Sequence, residues 1–246
     1  MIQKLKKQRG FTLVELMLAM AFVSVLLLSI TMTAIQAGRM YNRGMVLKTV
    51  NQAGRDISDT IRRDFLQSNA AKIATADDSD NPVIMINDGP DEIGGRFCLG
   101  QYSYVWNTAA TLDGDKINNS NVAYTTTGGS DRSPVTLVRV DDRDGQLCQR
   151  EEGKAYESAI SAANSTQLLK PIDTDDVVIA LHDMSVNKIT NSQGAEQLYR
   201  VQFTLGTSAV DEINTLDGTC KPPNDNDANA DFCAINKFDM IVRTNG

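Results

Sequence analysis

An unbroken apolar run near the N-terminus constrains the fold of this chain more than any other feature of its sequence. The run begins at Phe11 and continues to about Ala37, and a short basic stretch that ends at Gly10 precedes it. One carboxylate, Glu15, interrupts the run five residues after the glycine. Because an acidic side chain at the centre of a membrane helix costs about 2.5–3.5 kcal/mol on insertion scales, Glu15 predicts a functional site with a partner.

This arrangement resembles the prepilin leader and N-terminal helix of type IV pilins and type II secretion pseudopilins. The resemblance implies that a membrane aspartyl peptidase, the prepilin peptidase, cuts between Gly10 and Phe11 and methylates the new N-terminus at Phe11. It also implies that Glu15 pairs with the Phe11 ammonium of a neighbouring subunit, because the attraction between opposite charges grows as the dielectric constant falls. Such a pair favours docking into a filament in one register. The matching residues are Lys4, Lys6, Lys7, Arg9, Gly10, Phe11, Thr12, Leu13, Val14, Glu15 and Leu16.

Two other interpretations of the N-terminal run explain the sequence less well. An ordinary signal anchor would leave Glu15 without a role. A cleaved secretory signal peptide has an apolar core of about 7–15 residues and an Ala-x-Ala site after it. Here the uncharged run from Leu16 to Ala37 is longer, and Ile35 would occupy the −3 position.

The charge balance narrows the choice of partners. The chain has 24 Lys and Arg against 31 Asp and Glu, a net charge of −7. The basic leader holds four of the cations and no acid, so cleavage leaves 20 cations against 31 acids. This acidic balance disfavours direct nucleic-acid binding. Because positive residues stay on the cytoplasmic side, the apolar run should lie in membrane lipid and the C-terminal bulk should cross the membrane.

The four cysteines fit an exported domain. Cys98, Cys148, Cys220 and Cys233 are widely spaced and form no CxxC motif, which disfavours a metal or redox site. In an oxidising compartment we expect two disulfides rather than four reduced, buried thiols. Of the three possible connectivities we favour a local Cys220–Cys233 bridge, which leaves Cys98–Cys148 as the second.

The N-terminal third of the chain reads as one long helix from Phe11 to about Ala70. Its first half is apolar on all faces, and its second half is amphipathic. The amphipathic half should dock on a sheet, because its apolar residues recur at helical spacing. These residues are Val46, Val50, Ala53, Ile57, Ile61 and Phe65, and the opposite face carries Lys48, Arg55, Asp59, Arg62 and Arg63.

The rest of the chain predicts a β-rich head. A short helix is expected at 157–169, and loops at 113–129 and 222–231. The predicted strands are 83–86, 95–99, 103–106, 135–140, 176–181, 198–205 and 238–243. The fold class is therefore α+β, with a long N-terminal α-helix, half transmembrane and half amphipathic, packed on an antiparallel β-sheet head. The predicted divisions are a leader (1–10), a transmembrane and filament-core helix (11–37), its amphipathic continuation (38–76) and the exported head (77–246).

Three features of the head raise the question of chemistry. His182 is the single histidine, but the sequence offers no nucleophile elbow for it, and we expect no catalytic residue. Tyr102, Tyr104 and Trp106 would share one face of a strand, where core packing is favoured over a contact patch for a partner. The acidic loop between Cys220 and Cys233 is favoured as a solvated loop. No cofactor is therefore expected, and the alternative is a weak Ca²⁺ site at Asp225, Asp227 and Asp231.

The resemblance implies a structural subunit of a type IV pilus or related filament. Its partners would be the prepilin peptidase, other pilin or pseudopilin subunits and an inner-membrane assembly platform. The precursor would be a single-pass membrane protein, and the filament would lie at the cell surface or in the periplasm. The helix sequence through Arg63 and Phe65 and the large head look similar to large minor pilins or J-type pseudopilins. A minor pilin is the first choice; a type II secretion pseudopilin and a signal-anchored exported binding protein are the alternatives.

Overall fold

The structure, a computed structural model, divides the chain into two units, residues 1–42 and residues 43–246. The domain boundaries predicted from the sequence, after residues 10, 37 and 76, stay predictions. The structure describes residues 11–69, 73, 82–112, 118–126, 132–143, 145–150, 154–169, 178–189, 197–209, 212–214, 219–222 and 232–245.

The elements follow the predicted α+β order, with one long helix before all strands. Helix α1 covers Leu13–Gln67, and a single helical turn, α2, covers Ala109–Leu112. The strands are β1 (Val83–Asp88), β2 (Asp91–Cys98), β3 (Tyr102–Asn107), β4 (Tyr124–Thr126), β5 (Arg132–Pro134), β6 (Leu137–Asp141), β7 (Ala159–Ser161), β8 (Ser165–Gln167), β9 (Ile179–Lys188), β10 (Leu198–Thr207), β11 (Ile213–Asn214), β12 (Thr219–Cys220) and β13 (Ile235–Arg243).

The head contains two main sheets, and both are antiparallel, as predicted. One has five strands in the order β1-β2-β3-β6-β8, and the other has three in the order β13-β10-β9. Two smaller sheets, β5-β4-β7 and β11-β12, complete the described part of the head. The pairing of β4 with β7 is parallel.

The amphipathic half of α1 docks on the head through the predicted stripe. Val46, Val50, Ile57, Ile61 and Phe65 are all buried and belong to one hydrophobic core with both main sheets. Ala53, the sixth residue of the predicted stripe, is partly buried against the same core. Since helical periodicity places these positions on one side, burying that side is enough to fix the rotation of the helix on the sheets.

Aromatic rings from both sheets meet the end of this stripe. The Phe65 ring centroid lies 5.4 Å from that of Phe97 and 5.5 Å from that of Tyr199. Tyr104 and Trp106 are buried in the same core, whereas Tyr102 is half-buried. The alternation seen in the sequence therefore serves core packing at two of its three positions.

A buried charge on α1 ties the helix to the five-stranded sheet. Asp64 is 1% exposed and accepts hydrogen bonds from Arg139 Nε at 2.6 Å and Arg139 Nη2 at 2.8 Å. It also accepts one from the Tyr104 hydroxyl at 2.5 Å. The hydrogen bond to Asp64 raises the pKa of the Arg139 guanidinium. Burial, and to a lesser extent the negative charge of Asp64, raises the pKa of the Tyr104 hydroxyl. The guanidinium stacks on the Tyr102 ring, 3.4 Å from its centroid.

Gly54 allows β13 to approach the helix closely. A Cβ atom at this position would lie 2.0 Å from the Phe238 ring, which is itself stacked on Phe203. At Gly44, in contrast, a Cβ would meet nothing within 4 Å. Gly44 and Gly54 therefore differ in their surroundings, although both have a helical backbone conformation.

We expect Gly54→Ala to lower the free energy of unfolding by about 1–3 kcal/mol, because the Phe238 ring must shift from its stack. Gly44→Ala should raise it by about 0.5–1 kcal/mol through helix propensity. Urea denaturation of the full-length chain in detergent measures both. A stabilising Gly54→Ala would show that the ring moves aside without cost.

The short helix predicted at 157–169 is wrong. This stretch forms β7, a 3-10 turn at Ala162–Asn164 and β8. Strand β8 pairs with β6, joining Ser165 to Val140 and Gln167 to Val138. Local helix propensity is weak compared with this tertiary pairing, which satisfies the backbone across a sheet.

The remaining strand predictions locate the long strands and miss the short ones. Strand β9 begins and ends later than the predicted 176–181, and β6 begins two residues after the predicted start at 135. Strand β4 lies inside the predicted loop at 113–129. The strands that the sequence missed (β4, β5, β7, β8, β11 and β12) have two or three residues each, which is too few to show an alternation.

Candidate processing and assembly site

The predicted cleavage point lies at the edge of the described chain. Gly10 lies outside the described residues. Phe11 is 85% exposed and precedes α1 by two residues, in a segment without helical structure. A non-helical backbone next to the first turn can be reached by a peptidase without unwinding the helix.

Glu15 closes a capping box with Thr12 at the start of α1. The Thr12 backbone N–H and the Thr12 hydroxyl both donate to Glu15 Oε2, each at 2.9 Å. The Glu15 backbone N–H donates to Thr12 Oγ1 at 3.3 Å. This reciprocal arrangement satisfies backbone donors that the first turn of a helix leaves without partners.

The capping box gives Glu15 a place in its own helix in addition to its predicted role between subunits. The Glu15 carboxylate accepts these hydrogen bonds through Oε2, and Oε1 accepts none from the described residues. The role of Thr12 in this capping box was not predicted from the sequence. The Thr-x-x-Glu spacing ahead of an apolar run was the signal that could have found it.

The apolar segment of α1 is exposed along its whole length. It includes Leu13 at 73% exposure and Phe22 at 65%. By length and composition α1 is a candidate membrane span, with a mean hydropathy of 2.5 in its most apolar window and none of that window buried. Such a surface needs lipid or other apolar helices around it.

Three hydroxyl groups within this segment form local hydrogen bonds to the helix backbone. The hydroxyls of Ser24, Thr31 and Thr33 donate to backbone carbonyls one turn earlier, at 2.8 Å for the first two. Because a membrane offers no water to polar groups, this internal bonding suits a helix in hydrocarbon.

The head contains two disulfides, Cys98–Cys148 and Cys220–Cys233, which is the pairing that the sequence analysis favoured. Next to the first, the Ser103 hydroxyl donates to Asp142 at 2.7 Å. Disulfides form and persist in oxidising compartments. Two disulfides therefore suit a head that folds in such a compartment.

His182 lies inside β9 and faces a cleft of about 240 Å³ that Asp183 and Glu92 also line. Its Nε2 is 2.9 Å from the Thr207 carbonyl oxygen. Burial lowers the pKa of His182, so the neutral imidazole is favoured near pH 7. Burial and the Asp183 charge raise the pKa of Glu92.

The calcium-site residues Asp225, Asp227 and Asp231 lie outside the described residues. Within the part of the chain that the structure describes, no group of three His, Cys, Asp or Glu side chains is placed to hold a metal ion.

Comparison with known protein families gives a match at the N-terminal end of the chain. Residues 5–35 match the family model described as the prokaryotic N-terminal methylation motif. No curated protein and no solved structure shows significant similarity to the chain. The match contains Gly10, Phe11, Thr12 and Glu15, and it ends before the head begins.

Proposed function

The methylation motif supports the type IV pilin and pseudopilin family for this chain, and within that family we propose that it is a minor pilin. The observation that carries the proposal is the motif at residues 5–35, whose residues from Leu13 onward form the exposed apolar part of α1. Prepilin peptidase processing and assembly with other pilin subunits follow from the motif.

In the proposed pathway the leader is cut between Gly10 and Phe11, and Phe11 becomes the methylated N-terminus. The precursor is anchored in the inner membrane as a single-pass protein, with its disulfide-bonded head on the side opposite the cytoplasm. An inner-membrane platform then inserts the subunit into a filament at the cell surface or in the periplasm. The chain is a substrate of the peptidase, acts by assembly and carries out no catalysis of its own.

The Glu15 carboxylate is the proposed register element. Two unpaired charges in hydrocarbon are costly, so the Phe11 ammonium of one subunit and Glu15 of the next favour the arrangement that brings them together. Because Oε2 already takes the Thr12 hydrogen bonds, Oε1 is the oxygen that this pairing would use.

A pseudopilin of a type II secretion system is the second candidate, since it would share the motif, the helix and the processing. A signal-anchored exported binding protein is a third and would keep its first ten residues. The mass of the N-terminal peptide from membrane-extracted protein separates the third from the others.

We expect Gly10→Leu to abolish processing, because the backbone beside the cleaved bond must lie extended and close to the peptidase, and glycine alone has no side chain there. The measurement is the N-terminal mass, which should show an intact Met1 start. Gly38→Leu is the matched control, since a Cβ at Gly38 meets nothing within 4 Å and the bond to be cut is distant in sequence. Normal cleavage of Gly10→Leu would refute the proposed cut.

A further inference from the structure

The five-stranded sheet has a second apolar face, on the side opposite the core that it shares with α1. Cys98 and Val105 lie on this second face and are buried together with Leu147, whereas their neighbours along β2 and β3 belong to the shared core. Leu147 is part of a short stretch, residues 145–150, that closes over the second face, and we call this stretch the cover segment. The Cys98–Cys148 disulfide ties the cover segment to β2.

An arginine is buried under the cover segment, where its described hydrogen bonds go to backbone carbonyl groups. Arg96 precedes Cys98 by two residues on β2, so both side chains lie on the same face of the sheet, and Arg96 is 1% exposed. Its Nη1 donates to the Leu147 carbonyl oxygen at 2.8 Å, and its Nη2 donates to the Glu157 carbonyl oxygen. Its Nε has no hydrogen-bond partner among the described residues.

The Arg96 guanidinium is a destabilising group in the closed head. Burial lowers its pKa to about 10, although nearby acidic groups oppose this shift. Because the pKa is lower than that of a guanidinium in water, the charged form is less stable inside the head than outside it. A buried N–H donor without an acceptor adds to this cost. The cover segment is therefore held closed over a charge that water would solvate better.

Two features hold the cover segment in place against this cost. The buried Asp142 carboxylate accepts hydrogen bonds from the backbone N–H of Gln146 at 2.9 Å and of Leu147 at 3.0 Å, which fixes the start of the segment. The disulfide at Cys148 fixes the middle of the segment. Because this disulfide joins residues 50 positions apart in the chain, it strongly restricts the open state. Reduction leaves the hydrogen bonds to Asp142 available and removes the covalent tie.

We propose that the Cys98–Cys148 disulfide is a redox latch, which closes the cover segment over Arg96 when it forms and releases the segment when it is reduced. In the closing step the two thiols lose two protons and two electrons to a disulfide-containing oxidant, whose own S–S bond is reduced to two thiols. The head therefore reaches its closed form in an oxidising compartment. The latch acts within one head and does not require assembly into a filament.

Hydrogen exchange, measured by mass spectrometry on the full-length chain in detergent, tests the latch. Cys98→Ser combined with Cys148→Ser should raise the exchange rate at least about tenfold in the peptide that covers residues 145–150, and should leave peptides from α1 and β10 unchanged. The matched control combines Cys220→Ser with Cys233→Ser and should keep the cover segment within about twofold of the original rate. Faster exchange throughout the head would contradict the latch, and so would an unchanged rate in the cover segment.

Arg96→Met distinguishes a latch from a disulfide that only stabilises the fold. Methionine is unbranched and apolar, so it fills the site without a charge or an unpartnered donor. In the chain that lacks the Cys98–Cys148 bond, Arg96→Met should return exchange in the cover segment to within about threefold of the original rate, because the buried charge that favours opening is gone. Arg143→Met is the control, since the Arg143 side chain is 76% exposed, and it should leave the fast exchange unchanged. Exchange that stays fast or rises further in Arg96→Met would overturn the proposal, because Arg96 would then not be the group that opens the segment.

Discussion

Asp64→Ala should lower the free energy of unfolding by roughly 3 kcal/mol, because it breaks a buried ion pair between α1 and the five-stranded sheet. The substitution leaves the Arg139 guanidinium, whose side chain is 23% exposed, without its carboxylate. It also leaves the buried Tyr104 hydroxyl without an acceptor. Urea denaturation of the full-length chain in detergent measures the loss, with Trp106 as the reporter, because this single tryptophan is 2% exposed in the same core.

Asp59→Ala is the matched control, because Asp59 lies on the same helix and is exposed. It should change the free energy of unfolding by less than about 0.5 kcal/mol. Combining Asp64→Leu with Arg139→Met should cost less than the sum of the two single changes, since neither charge is then left alone. Equal losses for Asp64→Ala and Asp59→Ala would show that the buried pair does not hold the helix to the sheet.

The sequence predicted the long elements because their signals are long. Residues 46–65 repeat an apolar side chain at helical spacing over five turns, and the structure buries that side. Strand β10 shows a clear alternation, and the structure places Tyr199, Val201, Phe203 and Leu205 in the core. In both elements many residues fit the same periodic pattern, so a single atypical residue does not change which face is predicted to be buried.

The interactions that could not be predicted join residues far apart in the chain. Asp64 and Arg139 are 75 residues apart, and Asn51 of the helix accepts a hydrogen bond from Asn236, 185 residues away. Periodicity describes which side of an element is buried and says nothing about which polar group lies opposite. Gly54 is similar, since only the placement of Phe238 explains why a side chain is excluded there.

At the N-terminus the sequence predicted the processing motif but not the hydrogen bonds between Thr12 and Glu15. Gly10, Phe11 and Glu15 were singled out by their spacing, and their roles stay predictions. The capping box with Thr12 adds a second task for the same carboxylate. A substitution that removes Glu15 therefore affects both the helix start and the proposed charge pair, and the two effects must be separated.

Glu15→Gln separates the effect on the helix start from the effect on the charge pair. It should reduce the amount of assembled filament at least about tenfold, which corresponds to about 1.4 kcal/mol for each contact between subunits, while processing stays normal. A glutamine amide oxygen can still accept the Thr12 hydrogen bonds, so the capping box survives. The negative charge is lost, and the Phe11 ammonium of the neighbouring subunit then enters hydrocarbon without a partner. The amount of sheared filament, with the N-terminal mass as the check on processing, measures the effect.

Thr12→Val completes the design, because it removes the capping hydroxyl and keeps the charge. It should weaken the helix start by about 1 kcal/mol and leave assembly within about twofold of the original. If the charge pair sets the register, Glu15→Gln and Glu15→Ala should be impaired alike and Thr12→Val should not. If the carboxylate serves the cap alone, Glu15→Gln should assemble normally and Glu15→Ala and Thr12→Val should both be impaired. The order of these three variants therefore decides whether the acid in the apolar segment acts between subunits or within one.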